Sequence, residues 1–88
     1  MYVIMVYDVG VERVTKVLKI ARRYLGWVQN SVLEGELSNA QFRRLQREVQ
    51  RVIQKDHDRV LFYLIRSAKD VRRESLGAAT SSPPDFFA

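Results

Sequence analysis

Asp8 is the residue of this 88-residue chain that is best placed to do chemistry, because it directly follows the apolar residues 2–7. A strand that ends there presents the carboxylate at the rim of a sheet, on a rigid base. Mg²⁺ keeps several waters and commonly needs only about one or two carboxylates beside substrate phosphate oxygens. Such a site predicts metal-assisted phosphodiester hydrolysis. A second role stays open, since Asp is a favoured N-cap and a helix is predicted to follow.

Two-fold symmetry can supply the second carboxylate that a single Asp lacks. In a homodimer whose axis passes near the end of the first strand, the two copies of Asp8 face each other and share one ion. A chain of 88 residues also gains from a partner, since folding buries only roughly 60–65 % of its extended surface. We therefore expect a homodimer.

Few other residues offer catalytic chemistry. The chain has no Cys and a single His, which excludes a thiol nucleophile, a disulfide framework and a multi-His metal cage. His57 lies in a charged connection and is predicted to be a solvated loop residue. Glu34 and Glu36 share one face of strand-like sequence, where they can bind metal but are more often simply solvated. Neither a Gly-rich phosphate loop nor an RNA-recognition signature is present.

The formal charge of +5 and the isoelectric point near 10.0 favour a polyanionic partner. The excess lies in residues 11–25 and 40–55, each with five cations and one acid, whereas the rest of the chain is net negative. Solvated helix faces are the alternative, but two basic segments in an otherwise acidic chain favour nucleic acid. The predicted phosphate contacts are Arg13, Lys16, Lys19, Arg23, Arg43, Arg47 and Arg51.

Two amphipathic helices are predicted to carry these cations. Apolar residues recur at helical spacing through residues 11–25, and Gly26 follows as a stop signal. Ser38 and Gln41 form a capping-box pattern that opens the second helix, which is predicted to end near Asp56.

Strand-like segments alternate with the helices. Residues 2–7 predict a strand buried on both faces, and residues 59–66 predict an inner strand. Residues 27–37 predict one bulged strand, or a pair turning near Asn30 or Gly35. This order predicts an α+β fold, a ferredoxin-like βαββαβ antiparallel sheet with two helices on one face and a short C-terminal edge strand. The predicted domain covers residues 1–77, followed by a flexible tail over residues 78–88.

No membrane association is expected. The longest apolar runs, residues 1–7 and 60–65, are much shorter than the ~20 residues that span a bilayer. The first run also has no cationic region before it and is followed directly by Asp8, which argues against a signal peptide. We expect a cytoplasmic protein.

Several motifs taken together are typical of one protein family. They are Tyr7-Asp8-Val9 after the opening strand, the GWVQNSVLEG segment at residues 26–35, Asp58-Arg59-Val60, and Leu76-Gly77. Over residues 1–77 the chain resembles the small CRISPR-associated adaptation nuclease, the lesser of the two core spacer-acquisition proteins. The Tyr-Asp pair combined with Val-Gln-x-Ser-Val is the specific part of the resemblance.

The resemblance implies a ferredoxin-like homodimer in which the last short strand, at about residues 72–77, joins the partner's sheet. It implies an endonuclease for RNA or DNA that depends on Mg²⁺ or Mn²⁺, with Tyr7 and Asp8 as catalytic residues and Asp8 as metal ligand. It also implies a role in spacer acquisition and antiviral defence, in which the dimer holds duplex DNA and bridges two copies of the adaptation integrase subunit.

Two positions depart from the pattern of that family. Trp27 and Leu33 stand where members often have Arg and Phe, at positions linked to cleavage. One open alternative is therefore a catalytically silent DNA-binding scaffold that bridges a partner integrase. The other is a toxin-type ribonuclease on the same fold.

Overall fold

A computed structural model describes residues 1–78 of the chain, which form two helices and four strands. In chain order the elements are β1 (Tyr2–Asp8), α1 (Val11–Ala21), β2 (Gly26–Gln29), β3 (Val32–Glu36), α2 (Asn39–Gln50) and β4 (Arg59–Ile65), followed by a 3₁₀ turn at Ala68–Asp70. The predicted ferredoxin-like α+β fold is confirmed. Apart from residue 78, the predicted tail lies outside the described residues.

The strands form one antiparallel sheet in the order β2-β3-β1-β4. Residues 27–37, predicted as either one bulged strand or a strand pair, form a strand pair. The chain turns at Asn30, whose φ is 39°, and the register is irregular between Trp27 and Gln29. In the β1–β4 pair, Asp8 lies opposite Arg59. The end of β1 and the beginning of β4 therefore meet at one rim of the sheet.

Within residues 1–78, the two helices cover only one face of the sheet. In β1 the buried residues are Val3, Met5 and Tyr7, and the intervening side chains are only partly buried. The prediction of a strand buried on both faces is wrong for the single chain, because both helices pack on the same side. The inner position predicted for β4 is also wrong, since β4 forms an edge of the sheet.

Both helices are shorter than predicted, although the predicted cap is present. The Ser38 amide donates to Gln41 Oε1 at 2.8 Å, and the Gln41 amide donates to Ser38 Oγ at 3.1 Å, which completes the capping box. Helix α2 ends at Gln50 and not near Asp56, because the turns after it bring the Gln54 amide to a buried carboxylate.

That carboxylate belongs to Asp58, whose side chain is 0 % exposed. Among residues 1–78, Asp58 is the one charged residue that is buried. Oδ1 accepts hydrogen bonds from the Gly10 amide and from Arg13 Nη2, both at 2.8 Å. Oδ2 accepts from Arg13 Nε at 2.5 Å and from the Gln54 amide at 2.8 Å. A buried charge is tolerated only when it is paired and hydrogen-bonded, and both conditions are met here.

The residues after β4 contain no strand as far as the structure describes them, to residue 78. The C-terminal edge strand predicted over about residues 72–77 is therefore not formed within the single chain. Its pairing with a partner's sheet stays a prediction. None of the helices in residues 1–78 has the length and apolar character needed to cross a membrane.

We expect Asp58 to make folding stability depend on acidic pH. The hydrogen bonds from the Arg13 guanidinium hold the pKa of Asp58 well below its usual range, and the Gln54 and Gly10 amides add to this effect. The unfolded chain binds the proton more readily, so the contribution is complete above the unfolded pKa of about 3.9 and is lost as pH falls below it.

Urea unfolding at fixed protein concentration, repeated at intervals from neutral to acidic pH, measures this contribution. We expect Asp58→Asn to be less stable than wild type at neutral pH and to lose less further stability on acidification. The matched control is Asp56→Asn, since Asp56 is exposed two residues away. Equal pH slopes in wild type and Asp58→Asn would contradict the prediction.

Candidate metal and nucleic-acid site

Asp8 is the last residue of β1, and its side chain is exposed at the rim of the sheet. Helix α1 has Gly10 at its N-cap and no side-chain cap. The alternative role of Asp8 as a helix cap is therefore wrong. Within residues 1–78, no hydrogen bond or ion pair is made by the Asp8 carboxylate. Its oxygens are available to a cation or to a donor from outside this segment.

Tyr7 and Asp8 leave β1 on opposite faces yet line the same shallow groove. Tyr7 belongs to the buried, helix-facing set and is 6 % exposed, and burial raises the pKa of its hydroxyl. The groove has a volume of about 350 Å³ and also includes Asn30 and Ser31 of the β2–β3 turn. At neutral pH the Tyr7 hydroxyl is protonated, so it can donate a hydrogen bond but cannot act as a base.

The other carboxylates considered as metal ligands already have cationic partners. Glu34 and Glu36 share one face of β3, as expected. Glu34 pairs with Arg73, and Glu36 pairs with the N-terminal ammonium group at 2.7 Å. His57 is exposed in a turn.

The donors at the Asp8 rim suit a hard cation. In the described part of the chain, no three His, Cys, Asp or Glu side chains come together as a metal cage. One free carboxylate fits Mg²⁺ or Mn²⁺, whose remaining ligands can be water and phosphate oxygens, better than it fits a metal that needs a full protein cage. A second copy of the chain is the simplest source of another carboxylate.

A basic groove runs along α1. Lys16, Lys19 and Arg23 follow one another at helical spacing and are exposed. With Ile20 and with Val52, from the turn after α2, they line a groove of about 510 Å³. We call these five residues the basic groove.

Helix α2 adds a second row of cations. Arg43, Arg47 and Arg51 are all exposed and recur every four residues, so they form one stripe. Arg51 directly precedes Val52, which brings the end of the stripe to the basic groove. Because α1 and α2 pack against each other, the six predicted phosphate contacts of the two helices lie on one layer.

Arg13 is placed apart from this layer. Its side chain is only 12 % exposed, and the bonds to Asp58 hold it at the beginning of α1. Arg23 forms an ion pair with Glu48 but remains 63 % exposed. The Tyr24 hydroxyl also donates to Glu48, and that hydrogen bond is the main reason why the pKa of Tyr24 is raised.

Asp58 is the functional candidate that sequence reasoning missed. A signal was present, since Asp58 directly precedes an apolar strand, just as Asp8 directly follows one. Its partner Arg13 lies 45 residues away in the chain, and no local pattern connects the two.

Trp27 and Leu33, the two departures from the family pattern, lie opposite each other in the β2–β3 pair. Leu33 is fully buried in the core. Trp27 is partly buried against the same core, and its Nε1 donates to the Asn30 carbonyl at 2.8 Å. Leu33 therefore belongs to the core, and Trp27 ties β2 to the turn that borders the groove at Asp8.

Known proteins of one family match the chain over most of its length. The model of the family described as CRISPR associated protein Cas2 matches residues 1–73. The CRISPR-associated endoribonuclease Cas2 of Thermotoga maritima is 58 % identical over 77 residues, or 88 % of each chain. The protein of the same name from Dictyoglomus turgidum is 53 % identical over 77 residues, with the same coverage. A crystal structure of a Cas2 protein that is 47 % identical covers 92 % of this chain and 91 % of its own, with a TM-score of 0.85. The chain therefore belongs to the CRISPR-associated Cas2 family.

Proposed function

We propose that this chain is a metal-dependent endonuclease that acts as a homodimer in CRISPR spacer acquisition. The observation that carries the proposal is the exposed Asp8 carboxylate at the end of a central strand, which makes no hydrogen bond or ion pair within residues 1–78. It occurs in a chain that is more than half identical to proteins named CRISPR-associated endoribonuclease. A cytoplasmic location is part of the same proposal.

Each residue at the rim has a distinct role in the proposed reaction. Asp8 binds Mg²⁺ or Mn²⁺, which when bound activates water and neutralises phosphate charge. The protonated Tyr7 hydroxyl donates a hydrogen bond in the same groove. The β2–β3 turn closes one side of the groove with the polar residues Asn30 and Ser31.

The homodimer is supported by the apolar side of the sheet that the helices do not cover. We call its apolar patch the open sheet face, which consists of Tyr2, Ile4, Val6, Leu61, Tyr63 and Ile65. Glu34 and Glu36 of β3 lie on the same side of the sheet, next to this patch. Leu61 and Tyr63 are 37 % and 55 % exposed. Contiguous exposed apolar surface of this kind marks an interaction site. No strand of residues 1–78 pairs with the outer edge of β4, which is therefore a second place where another chain can pair.

Nucleic acid binding is supported by the basic groove and the stripe on α2. Contacts to phosphates position a protein on nucleic acid without reading its sequence, and exposed Lys and Arg side chains make them. Arg13 is left out of the proposed contacts because its guanidinium is already bound to the Asp58 carboxylate. RNA and duplex DNA both present the required phosphates, and the integrase subunit is the proposed protein partner.

A second function, the silent scaffold, is favoured by one observation. Asp8 belongs to the face of β1 that points away from the helices, whereas the exposed cations lie on the helix layer. The groove at Asp8 includes Val14 of α1, but none of the six exposed cations lines it. Binding without cleavage is physically possible for this arrangement.

We expect Asp8→Asn to abolish cleavage, because it removes the charge that attracts the cation while keeping the shape of the side chain. Since the Asp8 carboxylate makes no hydrogen bond or ion pair within residues 1–78, the melting temperature should change little. Labelled RNA and DNA are incubated with Mg²⁺ or Mn²⁺, with Asp56→Asn as the matched control. Equal cleavage by wild type and Asp8→Asn would refute the metal role. DNA binding by a wild type that never cleaves would establish the scaffold instead.

Binding through phosphates predicts a strong salt dependence. The logarithm of affinity for B-form DNA should fall linearly with the logarithm of salt concentration, with a slope of about −0.9 per neutralised phosphate. Arg47→Ala should weaken binding to unrelated sequences alike and flatten the slope by about one unit. Gln46→Ala, at an exposed neutral position on the same helix, is the control. A slope near zero in the wild type would contradict the proposed interface.

The open sheet face predicts which substitutions separate the two protomers. Tyr63→Asp places a charge in the centre of that face and should shift the protein from dimer to monomer in light scattering at micromolar concentration. Val11→Asp is the matched control, since Val11 is 86 % exposed on α1, away from the face. Removing residues 71–88 should also weaken the dimer if the C-terminal segment joins the partner's sheet. A monomeric wild type, or variants that dimerise as tightly as it does, would refute the interface.

A further inference from the structure

We propose that the buried ion pair between Asp58 and Arg13 positions Asp8 by holding residues 8–10 in the conformation that binds the cation. This inference rests on the proposed metal role of Asp8. Neither partner touches the metal, so both are positioning residues.

The first step of the argument is that both ends of the Asp8–Gly10 segment are anchored to one short stretch of chain. Asp8 lies opposite Arg59 in the sheet. Two residues after Asp8, the Gly10 amide donates to Asp58 Oδ1 at 2.8 Å. Asp58 and Arg59 are neighbours in sequence, so a shift of Asp58 would move both anchors together.

The second step is that the Asp58 carboxylate cannot rotate. The planar guanidinium of Arg13 contacts both oxygens, through Nη2 on one side and Nε on the other. Such a two-point contact fixes the plane of the carboxylate, which a lysine ammonium cannot do. The Gln54 amide occupies the second oxygen as well. The acceptor for the Gly10 amide is therefore held in one place.

The third step concerns the absence of a side chain at residue 10. A Cβ added to Gly10 would lie 2.4 Å from Arg13 Nη2, which is closer than two non-bonded atoms can approach. The guanidinium cannot simply swing aside, because it is bound to Asp58. The backbone of Gly10, with φ of −56° and ψ of 144°, is ordinary extended backbone that alanine can adopt. Gly10→Ala therefore disturbs the ion pair without changing a charge or straining the backbone.

The experiment measures Mn²⁺ affinity of the folded full-length protein by the electron paramagnetic resonance signal of free Mn²⁺. We expect Asp58→Asn, Arg13→Lys and Gly10→Ala to weaken Mn²⁺ binding roughly tenfold or more, as loss of an outer-shell partner usually does. The matched control is Leu45→Ala. This substitution removes a fully buried side chain of α2 and lowers stability without changing residues 8–10.

A merely structural pair would leave the metal affinity of the folded variants at the wild-type value, and that result would overturn the proposal. Weakening in the three loop variants but not in Leu45→Ala supports it.

A second readout keeps the inference separate from the metal role. If Asp8→Asn binds Mn²⁺ as tightly as wild type, the proposed metal role fails. Amide hydrogen exchange at residues 9 and 10 then tests whether the ion pair holds the loop in place. Faster exchange there in Asp58→Asn than in Leu45→Ala supports positioning by the pair. Equal exchange in the two variants overturns it.

Discussion

The buried carboxylate of Asp58 is the interaction on which the arrangement of this domain depends. A charge removed from water must be matched by donors from the protein, and the donors come from the β1–α1 loop, the first turn of α1 and the turn after α2. The chain segments that supply them must therefore lie close together at one end of the sheet. Asp8 is at that end, so the stability of the fold and the geometry of the proposed metal site rest on the same contacts.

A second constraint is that both helices cover the same face of a four-stranded sheet. Packing Met5, Leu33 and Leu45 into one core leaves the other face apolar and partly exposed. Residues 1–78 contain no further helix or strand that could cover it. Association of two chains through the open sheet face is the physical answer that we propose, and it also offers a second Asp8 to a shared cation.

Burial divides the cations of this Cas2-family chain into two groups. Arg13 is 12 % exposed and holds the fold together. Lys16, Lys19 and the arginines of α2 are exposed, and their charge can therefore reach a polyanion. Composition alone treats all of these residues as equivalent. Because none of the exposed cations lines the groove at Asp8, the proposed binding and the proposed cleavage of nucleic acid can be independent properties of one chain.

Local patterns in the sequence determined the order of strands and helices, the Ser38 capping box, the position of Asp8 at the end of a strand and the resemblance to the family. These features depend on residues close together in the chain, where periodicity and capping act. Only the tertiary structure decided that β4 is an edge strand, that α2 ends at Gln50, and that Arg13 pairs with Asp58. Each of these depends on contacts between residues far apart in sequence. Which distant donor reaches a buried carboxylate, and which face a helix covers, are settled by strand register and packing, which no local spacing encodes.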